Sequence, residues 1–193
     1  MTEKIFNYLK TCTDNDGPIV VCDTDLVVDN FTQMRQLLPI CADTIYYAMK
    51  ANPDPLILKK LAAVGCCFDC ASKGEIELLI ESTGVSYDRI SFGNTIKKER
   101  DITWAYEKGV RCFAFDSEPE LRKLAQQAPG SKVFCRILSE CEGAEWPLSK
   151  KFGCVPAMAM RLLKMANTMG LDAYGISFHV GSQQTDVSSC LEC

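Results

Sequence analysis

The chain has 193 residues, of which 47% are hydrophobic and 24% are charged, and its mean hydropathy is -0.02. These values are typical of a globular protein and exclude disordered and fibrous classes. Twenty-five acidic residues outnumber 21 basic ones, and the net charge of -4, with no basic run beyond Lys97-Lys98-Glu99-Arg100, argues against a nucleic-acid partner. No apolar run is long enough for a transmembrane or signal segment, so we expect a cytoplasmic protein without membrane contact.

The chain contains 12 cysteines at irregular spacings, and several of them lie in apolar runs such as 20–22 and 133–135. We therefore expect reduced, small core residues, as in other proteins of a reducing compartment. The alternative is that two C-x-x-C pairs, Cys67 with Cys70 and Cys190 with Cys193, are half-sites for zinc. Because the first pair lies on a predicted strand and the second at the terminus, we predict no metal site.

The first 23 residues are predicted as a helix followed by a strand over Pro18–Asp23, and a helix-like stretch runs from Asp25 to Leu38. Six further runs rich in β-branched and aromatic residues end at positions 50, 72, 94, 116, 137 and 180. The first four steps between these ends are 22, 22, 22 and 21 residues, the length of one strand-helix unit, and the last step is 43 residues. The long step therefore holds an insertion, and the strand at 18–23 lies outside the repeat.

Helical periodicity fills the intervals between the six runs. Pro55–Ala63 begins with a proline that a first helical turn tolerates, while Lys73–Ser82 and Glu118–Gln127 place apolar residues on one face. Alternating strands and helices predict an α/β protein with a parallel sheet. Because no Gly-rich dinucleotide fingerprint follows the first strand, we favour a (β/α)8 TIM-type barrel over a doubly wound sheet. A complete barrel takes about 250 residues, so we expect an incomplete one with about six of its eight strands.

Polar side chains follow each of the six predicted strands. Barrel enzymes carry their chemistry at the C-terminal strand ends, so these side chains are the candidate site. They are Lys50, Asn52, Asp69, Ser72, Glu75, Asn94, Asp116, Ser117, Arg136, His179, Ser182 and Gln183. Lys50 follows the apolar run 46–49, where burial would lower the pKa of its ammonium group, so it is a candidate to attack a carbonyl and form a Schiff base.

Each of these residues also has a structural interpretation. Lys50 could be a solvated lysine at the rim, His179 a packing residue, Asp69 a helix cap and Arg136 half of a structural ion pair. The functional interpretation gains weight because unrelated structural explanations would have to hold at five strand ends together. The segment 146–153, within the long step, is either a mobile lid over the mouth or a surface excursion.

Four segments of the sequence match a known pattern, namely YAMKAN at 47–52, FDCASKGE at 68–75, WPLSKKFG at 146–153 and SFHVGS at 177–182. Together they resemble the alanine-racemase-like barrel decarboxylases that use pyridoxal phosphate (PLP). The resemblance runs from about Pro18 to Gln183. Members of this family act on ornithine, lysine, arginine or diaminopimelate. The last two segments are most similar to the members that convert ornithine to putrescine in polyamine biosynthesis.

The resemblance implies roles for six positions. Lys50 resembles the lysine that binds PLP covalently, His179 resembles the residue that stacks on the pyridine ring, and Ser182 resembles a phosphate contact. Lys50 and His179 are thus the predicted catalytic residues of an enzyme that decarboxylates a basic amino acid. The remaining predicted contacts to the cofactor are Asp69, Glu75 and Arg136.

The family also has parts that this sequence lacks. They are a glycine-rich phosphate loop and an acidic residue facing the pyridine nitrogen, both from the last two barrel strands, and a C-terminal β-domain that completes the site across a homodimer. We therefore expect residues 1–23 to join such a β-domain and residues 24–193 to form a partial PLP-binding barrel. We expect the chain to be the front part of a longer protein and to be inactive by itself.

Several alternatives to an ornithine decarboxylase remain at this point. A diaminopimelate, lysine or arginine decarboxylase would use the same scaffold. A non-catalytic relative could bind a regulator of polyamine synthesis through the barrel surface. A barrel that carries PLP without decarboxylating its substrate is the third class.

Overall fold

The computed structural model describes residues 1–12, 17–38, 45–139, 144–146, 151–185 and 188. The α-helices in these ranges are α1 (Glu3–Thr11), α2 (Thr24–Leu37), α3 (Pro55–Ala63), α4 (Lys73–Thr83), α5 (Glu99–Lys108), α6 (Glu118–Gln127) and α7 (Pro156–Thr168). The β-strands are β1 (Tyr46–Ala48), β2 (Cys67–Cys70), β3 (Ile90–Phe92), β4 (Cys112–Phe115), β5 (Lys132–Arg136), β6 (Ala144–Trp146), β7 (Asp172–Ser177) and β8 (Ser182–Gln184). No helix within these ranges is both long and apolar enough to cross a membrane.

Six strands form one parallel sheet in the order β1-β2-β3-β4-β5-β7. The order follows the chain without reversal, as in a (β/α) barrel, whereas a doubly wound sheet reverses its order beside an early strand. Among the described residues, β1 and β7 each have a strand partner on one side only. The prediction of an α/β barrel with about six strands is confirmed, and the doubly wound alternative is wrong.

The regular repeat length sets the register of neighbouring strands. Asp69 pairs with Ser91 and Cys70 pairs with Phe92, and the two residues of each pair are 22 positions apart. Because each strand-helix unit has nearly the same length, the strands stay level with one another. Their C-terminal ends therefore meet at one edge of the sheet, where barrel folds place their sites.

Local sequence signals fix where the helices begin and end. The Ser72 hydroxyl accepts the N–H of Glu75 at 3.2 Å ahead of α4, and Gly84 ends α4 with a φ of 67°, in the left-handed region that favours glycine. The bounds of α3 and α6 are those that the sequence predicts, and α4 ends one residue later than predicted. Propensity and capping therefore determine these elements locally.

The hydrophobic core lies between the sheet and the helices that cover it. Its largest fully buried side chains are Phe68, Phe92, Phe113, Phe115, Met49, Leu58, Leu61, Ile76, Leu79, Ile90, Ile102 and Leu121. Full burial of one such side chain contributes about 1.5–3 kcal/mol. This core holds the ends of the strands in fixed positions relative to one another.

Cysteine contributes to the same core. Cys66, Cys67, Cys70, Cys135 and Cys154 are buried, as predicted. Burial raises the pKa of the Cys66 thiol to about 11, which keeps it protonated at neutral pH. The core prediction is wrong for Cys22, which is exposed. Within the described ranges no group of three or more His, Cys, Asp or Glu side chains is placed to hold a metal ion, and the pair at 190 and 193 lies outside those ranges.

The segment between α1 and α2 differs from the predicted strand. Residues 18–23 pair with no strand of the described chain, and Val20 is 95% exposed. Asp23 instead caps α2, because its Oδ1 accepts the N–H of Asp25 at 3.1 Å. The Thr2 hydroxyl donates to Asp23 Oδ2 at 2.7 Å and ties α1 to the start of α2. The role of residues 1–23 in joining a separate β-domain stays a prediction.

The long step between β5 and β7 contains the insertion that the spacing predicts. It holds β6 and then α7, and β6 pairs antiparallel with β8, so that Trp146 lies opposite Ser182. The insertion returns to the barrel at Gly153, whose N–H donates to Asp116 Oδ2 at 2.9 Å. Residues 147–150 lie outside the described residues, so the interpretation of 146–153 as a lid stays a prediction.

Candidate active site

A cavity of about 1030 Å³ opens at the C-terminal ends of the sheet strands. This volume lies just above the range of about 300–1,000 Å³ that is common for small-molecule sites. Five of the six predicted site residues line it, namely Lys50, Asp69, Glu75, Arg136 and His179. The parallel sheet therefore brings together side chains from four strand ends and one helix start.

Lys50 lies in a single turn of 3-10 helix, Met49–Ala51, directly after β1. Met49 is fully buried and anchors this turn, and the Tyr47 hydroxyl donates to the carbonyl of Asn52 at 3.0 Å and closes the loop. The side chain of Lys50 lines the cavity but is exposed. The expectation that apolar neighbours bury Lys50 is wrong, because the 3-10 turn carries the residue beyond the strand end and out of the core.

Asp69 presents its carboxylate to the loop that follows β3. The Ser91 hydroxyl donates to Asp69 Oδ1, and a Cβ atom at Gly93 would lie 2.1 Å from the same oxygen. Only a glycine at position 93 therefore leaves the carboxylate in place. Burial raises the pKa of Asp69 above its ordinary value of 3.8, while the Ser91 hydrogen bond and the positive charges of Lys50 and Arg136 oppose the rise.

Glu75 lines the cavity and also caps α4. Its Oε2 accepts the N–H of Ala71 at 2.6 Å, and its own N–H donates to Ser72 Oγ at 3.2 Å. This reciprocal arrangement is close to a capping box. The Asn94 side-chain amide donates to the carbonyl of Ala71 at 3.2 Å. The loops after β2 and β3 are therefore tied together beside the cavity.

Arg136 ends β5 and brings positive charge to the cavity wall. Its guanidinium lies 5.4 Å from the centre of the Phe152 ring, and Lys151 Nζ lies 5.6 Å from the same ring. Burial lowers the pKa of Arg136, and the negative charges of Asp116 and Asp69 oppose the shift. A guanidinium stays charged at neutral pH even so. The cavity therefore offers a fixed cation on an aromatic support.

His179 lies two residues after β7 and is held by backbone groups. The Gly181 N–H donates to His179 Nδ1 at 2.9 Å, and the Ser139 hydroxyl donates to the His179 carbonyl at 2.7 Å. Since Nδ1 accepts a hydrogen bond, the ring proton of the neutral form lies on Nε2. Burial lowers the pKa of His179, and the positive charges of Arg136 and Lys50 lower it further. The imidazole is therefore neutral at pH 7.

Ser182 is the sixth predicted site residue, and the structure places it apart from the other five. It begins β8, opposite Trp146, and it is exposed outside the lining of the cavity. Its position after the sixth predicted strand and the family resemblance suggested a shared site, but Ser182 pairs with β6 and not with the sheet that carries the other five residues. A role for Ser182 in binding phosphate stays a prediction.

Other cavity residues had no role in the sequence analysis. Ser91 and Gly93 fix the Asp69 carboxylate, and Thr95 lines the cavity with a side chain that is 1% exposed. Gly93 follows a predicted strand end, and a glycine at such a position is a signal of close backbone approach. Ser91 and Thr95 carry no distinctive sequence signal, because serine and threonine are common in strands and turns alike.

Comparison with known proteins identifies the family. Residues 24–192 match the family model described as the pyridoxal-binding domain of pyridoxal-dependent decarboxylases. The ornithine decarboxylase of Caenorhabditis elegans is 38% identical over 93% of this chain and 42% of its own length. The lysine/ornithine decarboxylase of Selenomonas ruminantium is 41% identical over 89% of this chain and 43% of its own length.

Two further matches extend the comparison. Antizyme inhibitor 2 of Xenopus laevis is 37% identical over 96% of this chain and 40% of its own length. The crystal structure of an SrLDC variant in complex with PLP superimposes with a TM-score of 0.86 at 39% identity, over 100% of this chain and 49% of that one. This chain thus spans about two fifths of the length of the curated relatives that it matches and about half of the solved structure.

The match covers the cavity-lining lysine, carboxylates, arginine and histidine, and the matched domain is the one that binds the pyridoxal cofactor. The chain therefore belongs to the family of pyridoxal-dependent decarboxylases.

Proposed function

We propose that this chain supplies the PLP-binding part of a decarboxylase that converts ornithine to putrescine. The observation that carries the proposal is the convergence of Lys50, Asp69, Glu75, Arg136 and His179 on one cavity at the strand ends. Sequence similarity to an ornithine and to a lysine/ornithine decarboxylase supports a basic amino acid as the substrate.

The chemistry of the described side chains fits PLP. The cofactor has an aldehyde, a flat aromatic ring and a phosphate, and the cavity offers the exposed amine of Lys50, the flat ring of His179 and the cation of Arg136. The hydroxyl of Thr95 is buried at the cavity without a hydrogen-bond partner among the described residues, which leaves it for a bound group. When bound, PLP supplies a sink for the electron pair left on the α-carbon as carbon dioxide departs.

In this proposal each side chain binds or orients. Lys50 would hold the cofactor through its amine, which its exposure in the cavity leaves accessible. The neutral imidazole of His179, fixed by the Gly181 N–H, would stack on the cofactor ring and orient it. The positive charges of Arg136 and Lys151 would attract the anionic groups of cofactor and substrate.

Carbon dioxide release tests the proposal directly. The natural protein that carries this chain is supplied with PLP and with ornithine, lysine, arginine or diaminopimelate. We expect ornithine to give the highest kcat/KM, and Lys50→Ala to abolish release. Lys59→Ala is the matched control, because Lys59 is exposed on α3 outside the cavity lining. A preference for another amino acid would assign the chain to one of the alternative decarboxylases.

A non-catalytic relative is the second candidate function. Its support is the similarity to antizyme inhibitor 2, whose name states a regulatory action. In that case the protein would release no carbon dioxide from any of the four amino acids. Binding of an antizyme by the same preparation would then favour the regulatory function over the enzymatic one.

We also propose that the enzyme is a cytoplasmic homodimer, in which residues 1–23 join a β-domain and residues 24–193 form the PLP-binding barrel. Support comes from the family resemblance, from segment 18–23, which pairs with no strand of the described chain, and from the start of the family match at residue 24. Analytical ultracentrifugation of the natural protein tests the dimer, and cell fractionation tests the compartment.

A polypeptide limited to residues 1–193 is expected to release no measurable carbon dioxide. In the described structure β1 and β7 each leave one edge of the sheet without a strand partner, and open edges favour aggregation over a defined site. Turnover by a purified and verified chain of 193 residues would contradict this expectation.

A further inference from the structure

Lys97 and Glu120 form an ion pair in the interior, outside the cavity lining. Lys97 Nζ lies 2.9 Å from Glu120 Oε1, and the two side chains are 0% and 3% exposed. Lysine and glutamate are almost never buried to this degree unless they are paired. The burial of this ion pair therefore requires a structural explanation.

The ammonium group of Lys97 is saturated with hydrogen bonds. Besides Glu120 it reaches the carbonyl of Asn94 at 2.8 Å and the carbonyl of Ala114 at 2.6 Å, so its three N–H groups have three acceptors. Burial lowers the pKa of Lys97 to about 8 against the opposing charge of Glu120, which shows that the environment disfavours the cation. Apolar residues often replace a buried ion pair without loss of stability, so stability alone does not explain this one.

The contacts of Lys97 fix the loop between β3 and α5. Lys97 holds the backbone of Asn94, whose side chain is bonded to the loop after β2. The preceding residue, Gly93, donates its N–H to the carbonyl of Cys70 at 2.9 Å. Its Cα lies so close to Asp69 that an added Cβ would meet the carboxylate. A shift of this loop therefore moves the wall against which the Asp69 carboxylate rests.

We propose that Lys97 is a positioning residue for the PLP site, acting through the loop 93–95 on the orientation of the Asp69 carboxylate. The proposal rests on the proposed function, since it assigns Asp69 to the cofactor site. Removal of the Lys97 ammonium group is therefore expected to weaken PLP binding only while Asp69 carries its carboxylate.

A double-mutant cycle on PLP affinity tests this coupling. The dissociation constant of PLP is measured by absorbance titration, and the fraction of Lys50 modified after borohydride reduction is measured by mass spectrometry. We expect Lys97→Met to weaken PLP binding about tenfold in the wild-type background and less than twofold in the Asp69→Asn background. Such non-additivity is typical of residues that act on one another and is absent for distant, independent sites.

Lys98→Met is the matched control. Lys98 follows Lys97 in the same loop, but its side chain is exposed and lies outside the cavity lining. We expect this variant to bind PLP within twofold of the wild type. If Lys97→Met is insoluble, the cycle is run with Glu120→Gln, which keeps the packing and weakens the hold on the Lys97 ammonium, with an expected effect of about threefold.

The outcomes separate the inference from the function on which it rests. Equal losses in both backgrounds would show that Lys97 acts on general stability and would overturn the inference, as would an unchanged affinity in the variant. A wild-type protein that neither binds PLP nor becomes modified at Lys50 would overturn the proposed function itself.

Discussion

Lys50 in the loop after β1 and Lys97 in the loop after β3 differ in their exposure to solvent. Lys50 lines the cavity and is exposed, whereas Lys97 is buried outside the cavity lining and donates to three oxygens. An amine whose N–H groups are all bound inside the protein has no freedom to react. Lys50, which is accessible in the cavity, is therefore the lysine that can react, whereas Lys97, whose N–H groups are all bound, holds the surrounding loop in place.

The strongest test of this contrast is the site of covalent labelling. After borohydride reduction in the presence of PLP, we expect modification of Lys50 and none of Lys97, because the buried ammonium is inaccessible. Lys50→Ala should reduce total labelling at least 100-fold by mass spectrometry, while Lys59→Ala should leave it unchanged. Label on Lys97 or Lys151 with Lys50 unmodified would show that Lys50 is not the reactive lysine.

Gly93→Ala tests the link between the two loops. The new Cβ would lie 2.1 Å from Asp69 Oδ1, so the carboxylate or the loop must move. We expect PLP affinity to fall about 30-fold, equivalent to ~2 kcal/mol. Gly74→Ala is the control, since its Cβ would meet only Ser72 Oγ at 4.0 Å, and it should change the affinity less than twofold. Equal effects of the two variants would show that Gly93 has no special relation to Asp69.

His179 lines the same cavity as Lys50, and burial, together with the positive charges of Arg136 and Lys50, lowers the pKa of its ring. If the ring acts by stacking, His179→Phe should bind PLP within about threefold of the wild type, whereas His179→Ala should lose about tenfold, since a methyl group offers no flat surface. Titration of PLP absorbance measures both. Equal losses in the two variants would indicate an essential proton or hydrogen bond instead.

The smallest expected effect concerns stability. Because burial raises the pKa of Asp69, the folded chain binds more protons than the unfolded chain between pH 3.8 and that raised pKa. The stabilising contribution of protonated Asp69 to the free energy of unfolding is therefore fully present below pH 3.8 and is lost as the pH rises through the raised pKa. Without cofactor, Asp69→Asn should raise the Tm at pH 7 by ~3 °C and by less at pH 4, measured by scanning calorimetry. A lower Tm at pH 7 would show that the carboxylate stabilises the fold.

Much of the fold could be predicted from the sequence because its determinants are local. The 22-residue spacing and the apolar faces of α4 and α6 specify six strands and their helices, and similar unit lengths keep the strand ends level. The convergence of Lys50, Asp69 and His179 follows from that geometry, since parallel strands present their C-terminal ends at one edge.

Other features depended on contacts that no local pattern records. The apolar run before Lys50 suggested burial, yet the folded chain exposes Lys50, and it buries Lys97, for which the sequence analysis assigned no role. Ser182 lies outside the cavity lining because it pairs with a strand of the insertion.

The sequence by itself thus determined the repeat, the strand ends and the set of side chains at the mouth of the barrel. The tertiary structure decided which of two lysines is exposed. The reason is that burial of Lys97 requires Glu120, 23 residues away on α6, and a carbonyl of β4 to pack against the loop after β3. Such an arrangement exists only when three separate elements have come together.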